Sequence, residues 1–216
     1  MQTLTELILG SDFRGRVFSE REIGWLIEGS AQRRYNLVNR ALKAGEVIRL
    51  ARGVYILNPE ISGVRPHSFV VAQALRPGSF VSFETALAWH DCIPEGVRQI
   101  RCTVSGRRKV SFDLPSYGEY RFVPMPVVPG RLLAGVSRKR LTAGTALIAD
   151  PLRALLDLVC SRKVEPEALF EFLGGLRLDE GWMRALGMAD VHRFRGVFRF
   201  RRMEEVIDNL ARGLMP

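Results

Sequence analysis

Residues 19–57 read SEREIGWLIEGSAQRRYNLVNRALKAGEVIRLARGVYIL, and the pattern of this stretch decides the fold of the N-terminal part. Ser19 and Glu22 have the spacing of a capping box, which predicts that a helix begins here. Ser30 is a favoured N-cap residue and predicts the start of a second helix. Two apolar runs then flank Gly53, as in a β-hairpin with a glycine in its turn. The stretch therefore predicts two helices followed by a hairpin.

Helical spacing of apolar residues extends this prediction in both directions. It predicts the buried faces of an earlier helix and of the helix after Ser30, which are Leu4, Leu7 and Ile8 in the first and Val38, Ala41 and Leu42 in the second. Tyr35 or Leu37 is expected at the margin of the second face. Gly45 suits the position just after a helix, where a positive φ is common.

A pair of helices joined by a short glycine-containing turn, here Ile27 to Gly29, is typical of a helix-turn-helix, and the hairpin would be its wing. Arginine can bind guanine edges, and asparagine or glutamine can bind adenine edges. The predicted DNA-binding residues are Gln32, Arg33, Arg34, Asn36, Asn39, Arg40 and Lys43 on the second helix, with Arg49 and Arg52 on the hairpin. Arg33, Asn36 and Arg40 are expected to contact base edges in the major groove. The hairpin arginines are expected to contact phosphates or the minor groove. The alternative is a small helical domain with a solvated basic face.

Bulk composition agrees with a polyanionic partner. The formal net charge is +9, which favours nucleic acid first and an anionic membrane surface second. A solvated basic surface is the alternative. No run approaches the about 20 apolar residues of a membrane span, so we expect a cytoplasmic protein without a membrane partner. The three cysteines lack metal-binding spacing and are expected to be reduced, buried thiols.

The Pro- and Gly-containing segment NPEISGVRP, residues 58–66, predicts a domain boundary. The expected fold class is α+β: a winged helix-turn-helix over residues 1–60, then a mixed α/β domain over residues 67–216 with a helical C-terminal part. Predicted elements of the second domain are helices Ser68–Leu75 and Ser82–His90, strands Arg98–Val104, Lys109–Leu114, Glu119–Val123 and Leu132–Val136, and helices from Pro151 onward. Ser82 is the expected N-cap of its helix.

Few residues suggest catalysis. His90 and Asp91 are neighbours, but no nucleophile has a recognisable context beside them, and His90 is expected to interact with the last carbonyls of its helix. Asp113 and Glu119 lie on predicted strands, as metal-binding carboxylates of some nucleases do, but no lysine follows at the spacing those enzymes use. We therefore expect a protein that is not an enzyme and needs no metal or cofactor.

Three segments resemble the AbiEi antitoxins of bacterial type IV toxin–antitoxin systems. They are VIRLARGVYIL, then VVAQALRPGSFVSFETALAWHDCIP with the strands after it, and the later IADPLRALLDLV. The resemblance covers roughly residues 5 to 160 and is most specific at Arg52 to Tyr55 and in the SFETALAWH helix. It implies a winged helix-turn-helix that represses its own operon, and a C-terminal domain that counters a nucleotidyltransferase-like toxin in abortive infection, a form of phage defence. Family members antagonise the toxin without a stable complex, which leaves direct binding open.

A basic surface is predicted on the second domain. Its residues are Arg98, Arg101, Arg107, Arg108, Lys109, Arg138, Lys139 and Arg140. It is either a solvated surface or a platform for DNA backbone, toxin or RNA. A further cluster, from Arg193 to Arg202, interleaves arginines with Phe194, Phe198 and Phe200. These phenylalanines either stack on nucleic-acid bases or pack into the hydrophobic core of the domain.

The sequence thus predicts an autorepressor and antitoxin that binds repeated half-sites on double-stranded DNA. One recognition helix contacts too few base pairs to specify a single site in a genome, so two copies of the protein per operator are expected. A solitary DNA-binding regulator without a toxin is the first alternative. A metal-dependent nuclease with a DNA-targeting domain is the second.

Overall fold

The computed structural model describes residues 3–94 and 96–214 and has an α+β fold. It divides into two compact units. The first takes in the chain up to Pro77 and residues 139–146, and the second takes in Gly78–Arg138 and the chain from Leu147 onward. Among the described residues no helix has both the length and the apolar character that a membrane crossing needs.

The first unit combines helices with a small sheet. Its elements are α1 (Leu4–Leu9), β1 (Val17–Ser19), α2 (Glu20–Leu26), α3 (Ala31–Lys43), β2 (Val47–Ala51), β3 (Val54–Leu57), α4 (Pro59–Ser62) and α5 (Ser68–Leu75). The strands form an antiparallel sheet in the order β1-β3-β2. The helices predicted around Leu4, after Ser19 and after Ser30 are confirmed, and so is the hairpin. Strand β1 was not predicted.

Local hydrogen bonds explain where the helices begin and end. Ser19 accepts from the N–H of Glu22 at 3.2 Å, and Glu22 accepts from the N–H of Ser19 at 2.7 Å, which completes the predicted capping box. Ser30 accepts from the N–H of Arg33 at 3.2 Å. Gly53 has φ +72° in the hairpin turn, a conformation that favours glycine.

One apolar core joins the helices and strands of the first unit. Its buried residues are Leu4, Ile8, Phe18, Ile23, Ile27, Leu37, Val38, Ala41, Val47, Tyr55 and Leu57. Leu42 is only partly buried, and Tyr35 is 64% exposed, so Tyr35 does not lie at the margin of the buried face. The buried stripe of α3 is therefore centred on Leu37, Val38 and Ala41.

Helix α5 belongs to the first unit, although the predicted boundary lay before it at residues 58–66. The N–H of His67 donates to the carbonyl of Thr142 at 3.1 Å. Gly144 lies so close to α5 that a Cβ there would come within 2.8 Å of a Val70 methyl. Residues 139–146, far away in sequence, thus hold α5 in this unit. The segment expected to be a linker forms α4 with Asn58 as its N-cap.

The second unit is built on a mixed sheet with helices. Its elements are β4 (Phe80–Val81), α6 (Phe83–Trp89), β5 (Gln99–Val104), β6 (Val110–Leu114), β7 (Gly118–Pro124), β8 (Val136–Leu141), β9 (Gly144–Ala149), α7 (Pro151–Arg162), a 3-10 turn (Pro166–Ala168), α8 (Leu169–Gly174), α9 (Glu180–Ala185), α10 (Met188–His192) and α11 (Arg201–Gly213). The strand order is β6-β7-β5-β4-β9-β8, and residues 139–146 at the ends of β8 and β9 are counted with the first unit. The predicted strand at Leu132–Val136 is wrong, because Arg131 to Ala134 form a turn and β8 begins at Val136.

A buried ion pair lies at the centre of the second unit. Arg153 and Asp157 are both fully buried on α7, and Arg153 Nε donates to Asp157 Oδ1 at 2.9 Å. The other oxygen of Asp157 accepts from Ser82 at 2.7 Å and from Thr103 at 2.9 Å. Ser82 occupies the N-cap position of α6 but makes no side-chain capping bond, so its predicted capping role is wrong. Its hydroxyl stabilises a buried carboxylate instead.

Two further predictions concern titratable side chains. Cys92, Cys102 and Cys160 are free and buried, as expected. Burial raises the pKa of the Cys92 thiol to about 11 and that of Cys160 to about 12, so these thiols are protonated at neutral pH. The backbone N–H of His90 donates to the carbonyl of Ala86 at the end of its own helix, at 3.1 Å, but its ring interacts elsewhere. Its Nε2 lies 3.0 Å from the carbonyl oxygen of Ala149.

Candidate nucleic-acid interface

Helix α3 is fixed in the first unit along one side. Leu37, Val38 and Ala41 are buried in the core, and Ser30 sets the first turn through its capping bond. Arg34 Nη1 donates to the carbonyl of Gly29 at 2.8 Å and so ties the helix to the turn before it. A rigid backbone of this kind is what a set of base-reading side chains needs.

The face of α3 opposite the core carries amides and one lysine. Successive residues of an α-helix are rotated by about 100°, so this face is centred on Gln32, Asn36, Asn39 and Lys43. Gln32 Nε2 donates to Asn36 Oδ1 at 3.1 Å, which aligns two amides one helical turn apart. Gln32, Asn36 and Lys43 are exposed, and Asn39 is half-buried.

Arg33 and Arg40 lie on one flank of that face. Arg40 borders a small recess together with Thr3 and Glu46, beside the start of α1. Both arginines are exposed. On the helix Arg33 and Arg40 lie about 90° and about 70° from the centre of the amide face, whereas Asn36 lies within it.

A groove of about 640 Å³ runs along the other flank, between α2, α3 and the hairpin. Its lining residues are Glu20, Arg21, Ile23, Gly24, Ala31, Arg34, Tyr35, Val38, Asn39, Leu42, Arg49, Arg52 and Tyr55. Four arginines and one acid therefore line it, which makes its surface cationic. The structure brings together Arg34, Asn39, Arg49 and Arg52 of the predicted set here.

Two residues of this groove were not predicted to have a role. Tyr35 presents most of its side chain to solvent, and Arg21 projects from the start of α2. Tyr35 lies about 70° from the centre of the amide face, which its helical position would have shown once the buried stripe was known. The single acid, Glu20, has its N–H bonded to the carbonyl of Gly53 at 2.9 Å and so positions α2 against the hairpin turn.

The hairpin arginines are exposed, Arg49 in the middle of β2 and Arg52 in the turn. Arg49 Nε lies 3.4 Å from the carbonyl oxygen of Ala51, a long hydrogen bond that leaves most of the guanidinium free to bind a ligand. Arg52 is exposed beside Gly53. Both arginines line the groove beside α3.

The basic residues predicted on the second domain occupy separate places. Arg98 is exposed before β5, and Arg107, Arg108 and Lys109 are exposed in the turn between β5 and β6. Arg138, Lys139 and Arg140 are exposed on β8, the edge strand of its sheet, and of these Lys139 and Arg140 are counted with the first unit, not with the second domain as predicted. Arg101 differs from the expectation, because it is largely buried, forms an ion pair with Glu84 and lies 4.4 Å from the ring centroid of Phe83.

The candidate catalytic carboxylates form a pair without a third ligand. Asp113 lies directly opposite Glu119 in the β6–β7 register, and both are exposed. Glu119 Oε2 accepts from Gln99 Nε2 at 2.8 Å. Within residues 3–94 and 96–214 no three His, Cys, Asp or Glu side chains come together as metal ligands would.

The chain matches no family model, and it matches no curated protein.

Proposed function

We propose that this protein is a DNA-binding transcriptional regulator whose first unit acts as a winged helix-turn-helix. The observation that supports this most is the composition of one surface. The amide face of α3, which carries Gln32, Asn36 and Asn39, adjoins a groove that four arginines line, with Glu20 as the one acid among its lining residues. Amides that match adenine edges beside arginines that match phosphates are the combination a duplex reader needs.

In the proposed complex α3 enters the major groove. Gln32, Asn36 and Asn39 contact base edges from the centre of the exposed face, and Lys43 lies one turn further along. Arg33 and Arg40 contact phosphates on one wall of the groove. Arg49 and Arg52 contact the phosphates or the minor groove on the other side, where the hairpin acts as a wing.

Binding to the protein's own promoter tests this function. DNase footprinting with the purified full chain is expected to show two protected segments, because one helix of this length reads too few base pairs alone. Half-sites one helical turn or a multiple of it apart would fit a pair of copies. A single short footprint that saturates at one copy would contradict the paired arrangement, and the absence of any preference over random duplex would contradict the function.

We further propose that the protein acts as the antitoxin of a type IV toxin–antitoxin system. This role rests on the resemblance at Arg52 to Tyr55 and in the SFETALAWH segment. The first segment forms the hairpin turn and β3, and the second forms the start and body of α6. The proposed opponent is a nucleotidyltransferase-like toxin, and antagonism does not require a stable complex.

The two segments that carry the resemblance lie in different units, so we expect DNA binding and antitoxin activity to be separable. Arg33→Ala combined with Arg40→Ala is expected to derepress the promoter, since two exposed phosphate-binding arginines are lost, and yet to rescue cells that express the toxin. Reporter activity and cell survival, measured in parallel, give the two readouts. Unchanged circular dichroism and a normal soluble yield are the controls. Loss of rescue by a folded double variant would show that antitoxin activity needs DNA binding.

A further inference from the structure

A second groove, of about 650 Å³, lies within the second unit. It is lined by the β5–β6 turn, by the segment after β7 and by the two residues before α11: Ser105, Gly106, Arg107, Pro124, Met125, Pro126, Val127, Val128, Pro129, Gly130, Leu132, Arg199 and Phe200. Its volume falls in the range of about 300–1,000 Å³ that is typical of small-ligand sites. Neither the proposed DNA reading nor the resemblance assigns it a role.

An aromatic ring in this groove is open to a ligand. In the Phe-Arg cluster before α11 the three phenylalanines behave differently, because Phe194 and Phe198 are buried whereas Phe200 is 51% exposed. Phe200 is also one of the residues that line the groove. A half-exposed phenylalanine in a concave site offers a flat apolar surface on which a planar group can stack.

The charged residues of the groove are both arginines. Arg107 projects from an exposed turn, and Arg108 and Lys109 follow it directly. Arg199 donates through Nε to the carbonyl of Val127 at 2.9 Å, and this bond fixes the guanidinium against the groove wall while its terminal nitrogens remain available. No Asp or Glu is among the lining residues. The complementary ligand is therefore anionic.

The groove wall offers a peptide little to bind. Pro124, Pro126 and Pro129 have no N–H, and the N–H groups of Val127 and Val128 already donate to carbonyls within the unit, at 2.9 Å each. A peptide that binds as an added strand needs a row of free backbone donors and acceptors. These five wall residues offer no free N–H, which favours recognition by side chains, namely the Phe200 ring and the two guanidinium groups.

We propose that this groove binds single-stranded nucleic acid, with an unpaired base stacked on Phe200 and the adjoining phosphates bound by Arg107 and Arg199. Aromatic platforms beside cations that track the backbone are the general means of binding single strands. Duplex DNA does not satisfy this site, because stacking on the neighbouring base pairs covers both faces of each base. The chemistry is shared by RNA and single-stranded DNA.

The test uses the full chain and fluorescence anisotropy with labelled oligo-U and oligo-dT of about twelve nucleotides, a length within the range of single-strand sites. Phe200→Ala is expected to weaken binding about 5- to 100-fold, since one stacked base is lost. Phe200→Trp is expected to retain the affinity of the wild type, because tryptophan offers a larger ring for stacking. The matched control is Phe170→Ala, which removes a phenylalanine that is 50% exposed on α8, outside the groove.

Two further measurements separate stacking from charge. On an abasic oligomer of equal charge the Phe200→Ala penalty should disappear, because no base remains to stack. Phe200→Ala should leave the salt dependence of binding unchanged, whereas Arg107→Gln should reduce the log–log slope by about 0.7 per lost phosphate contact. Tighter binding of oligo-U than of oligo-dT would assign the site to RNA, the reverse order would assign it to single-stranded DNA, and equal binding would assign it to both.

The proposal is overturned if Phe200→Ala and Phe170→Ala have the same effect on both oligomers, or if the penalty persists on the abasic oligomer. Binding of labelled oligoglutamate is measured in the same way. If Phe200→Ala weakens only this binding, the groove belongs to an acidic protein partner and the proposal is overturned. Promoter binding through α3 is measured separately on duplex DNA. Failure of either proposal therefore leaves the other intact.

Discussion

Asp157→Asn is expected to lower the free energy of unfolding by about 3–5 kcal/mol, the usual cost of removing one partner of a buried ion pair. Arg153 and Asp157 have no exposed side-chain surface, so the arginine charge would remain in the interior without its counterion. Natural domains are stable by only about 5–15 kcal/mol. Such a loss would leave the second unit close to unfolding at physiological temperature.

The arrangement around the pair explains why relaxation cannot recover this energy. Arg153 Nη1 donates to the carbonyls of Leu132 and Ala134, at 3.0 and 2.7 Å. Its guanidinium carbon lies 4.9 Å from the ring centroid of Phe80 and 5.6 Å from that of Phe198. The arginine is thus held in place by the turn before β8 and by aromatic rings, so its charge would stay buried after Asp157 is changed.

Urea denaturation monitored by circular dichroism measures the effect, and the chain offers a matched control. Arg201 and Glu205 form an ion pair at the same i,i+4 spacing on α11, but the two side chains are 89% and 50% exposed. Glu205→Gln is expected to cost only about 0.3–0.5 kcal/mol. Equal losses at the two sites would show that burial does not determine the strength of the Arg153–Asp157 pair.

The first unit was largely predictable because its signals are local. The capping bonds of Ser19 and Ser30 and the positive φ of Gly53 involve residues at most three positions apart. Strand β1 was missed because three residues are too few for a periodic pattern. It exists through pairing with β3, where Val17 lies opposite Ile56.

The second unit was less predictable because distant residues determine its details. Ser82 looked like a helix cap, but its hydroxyl bonds to Asp157, 75 positions away in the sequence. Leu132 to Val136 has the apolar composition of a strand. The carbonyls of Leu132 and Ala134 instead face Arg153 on α7, and the chain turns there. No local pattern contains either interaction.

The candidate site shows the same limit. The sequence shows which residue types α3 carries, but their arrangement around the helix depends on which stripe is buried. With the stripe centred on Leu37, Val38 and Ala41, the amides occupy the centre, and Arg33 and Arg40 occupy a flank. Of the two residues named for the margin of the buried face, Leu37 is buried and Tyr35 lines the groove.

This arrangement predicts different outcomes for Asn36→Ala and Arg40→Ala. Asn36→Ala is expected to weaken binding to the operator by about 1–3 kcal/mol and to leave random duplex almost unaffected, since it removes a base contact. Arg40→Ala is expected to weaken binding to both DNAs and to reduce the log–log salt slope by about 0.9, since it removes a phosphate contact. Gel-shift titrations on both DNAs at several salt concentrations provide the measurement.

Arg40→Lys distinguishes the two kinds of contact at a single position. A lysine keeps the point charge that a phosphate requires, but it lacks the planar fork that binds guanine in a bidentate manner. We therefore expect Arg40→Lys to retain most of the affinity and the salt slope of the wild type. The comparison variant Asn36→Ala is expected to fold normally, because Asn36 is exposed and alanine has the higher helix propensity. Loss of operator preference in Arg40→Lys, with affinity for random duplex intact, would place Arg40 among the base-reading residues and shift the centre of the reading face toward α1.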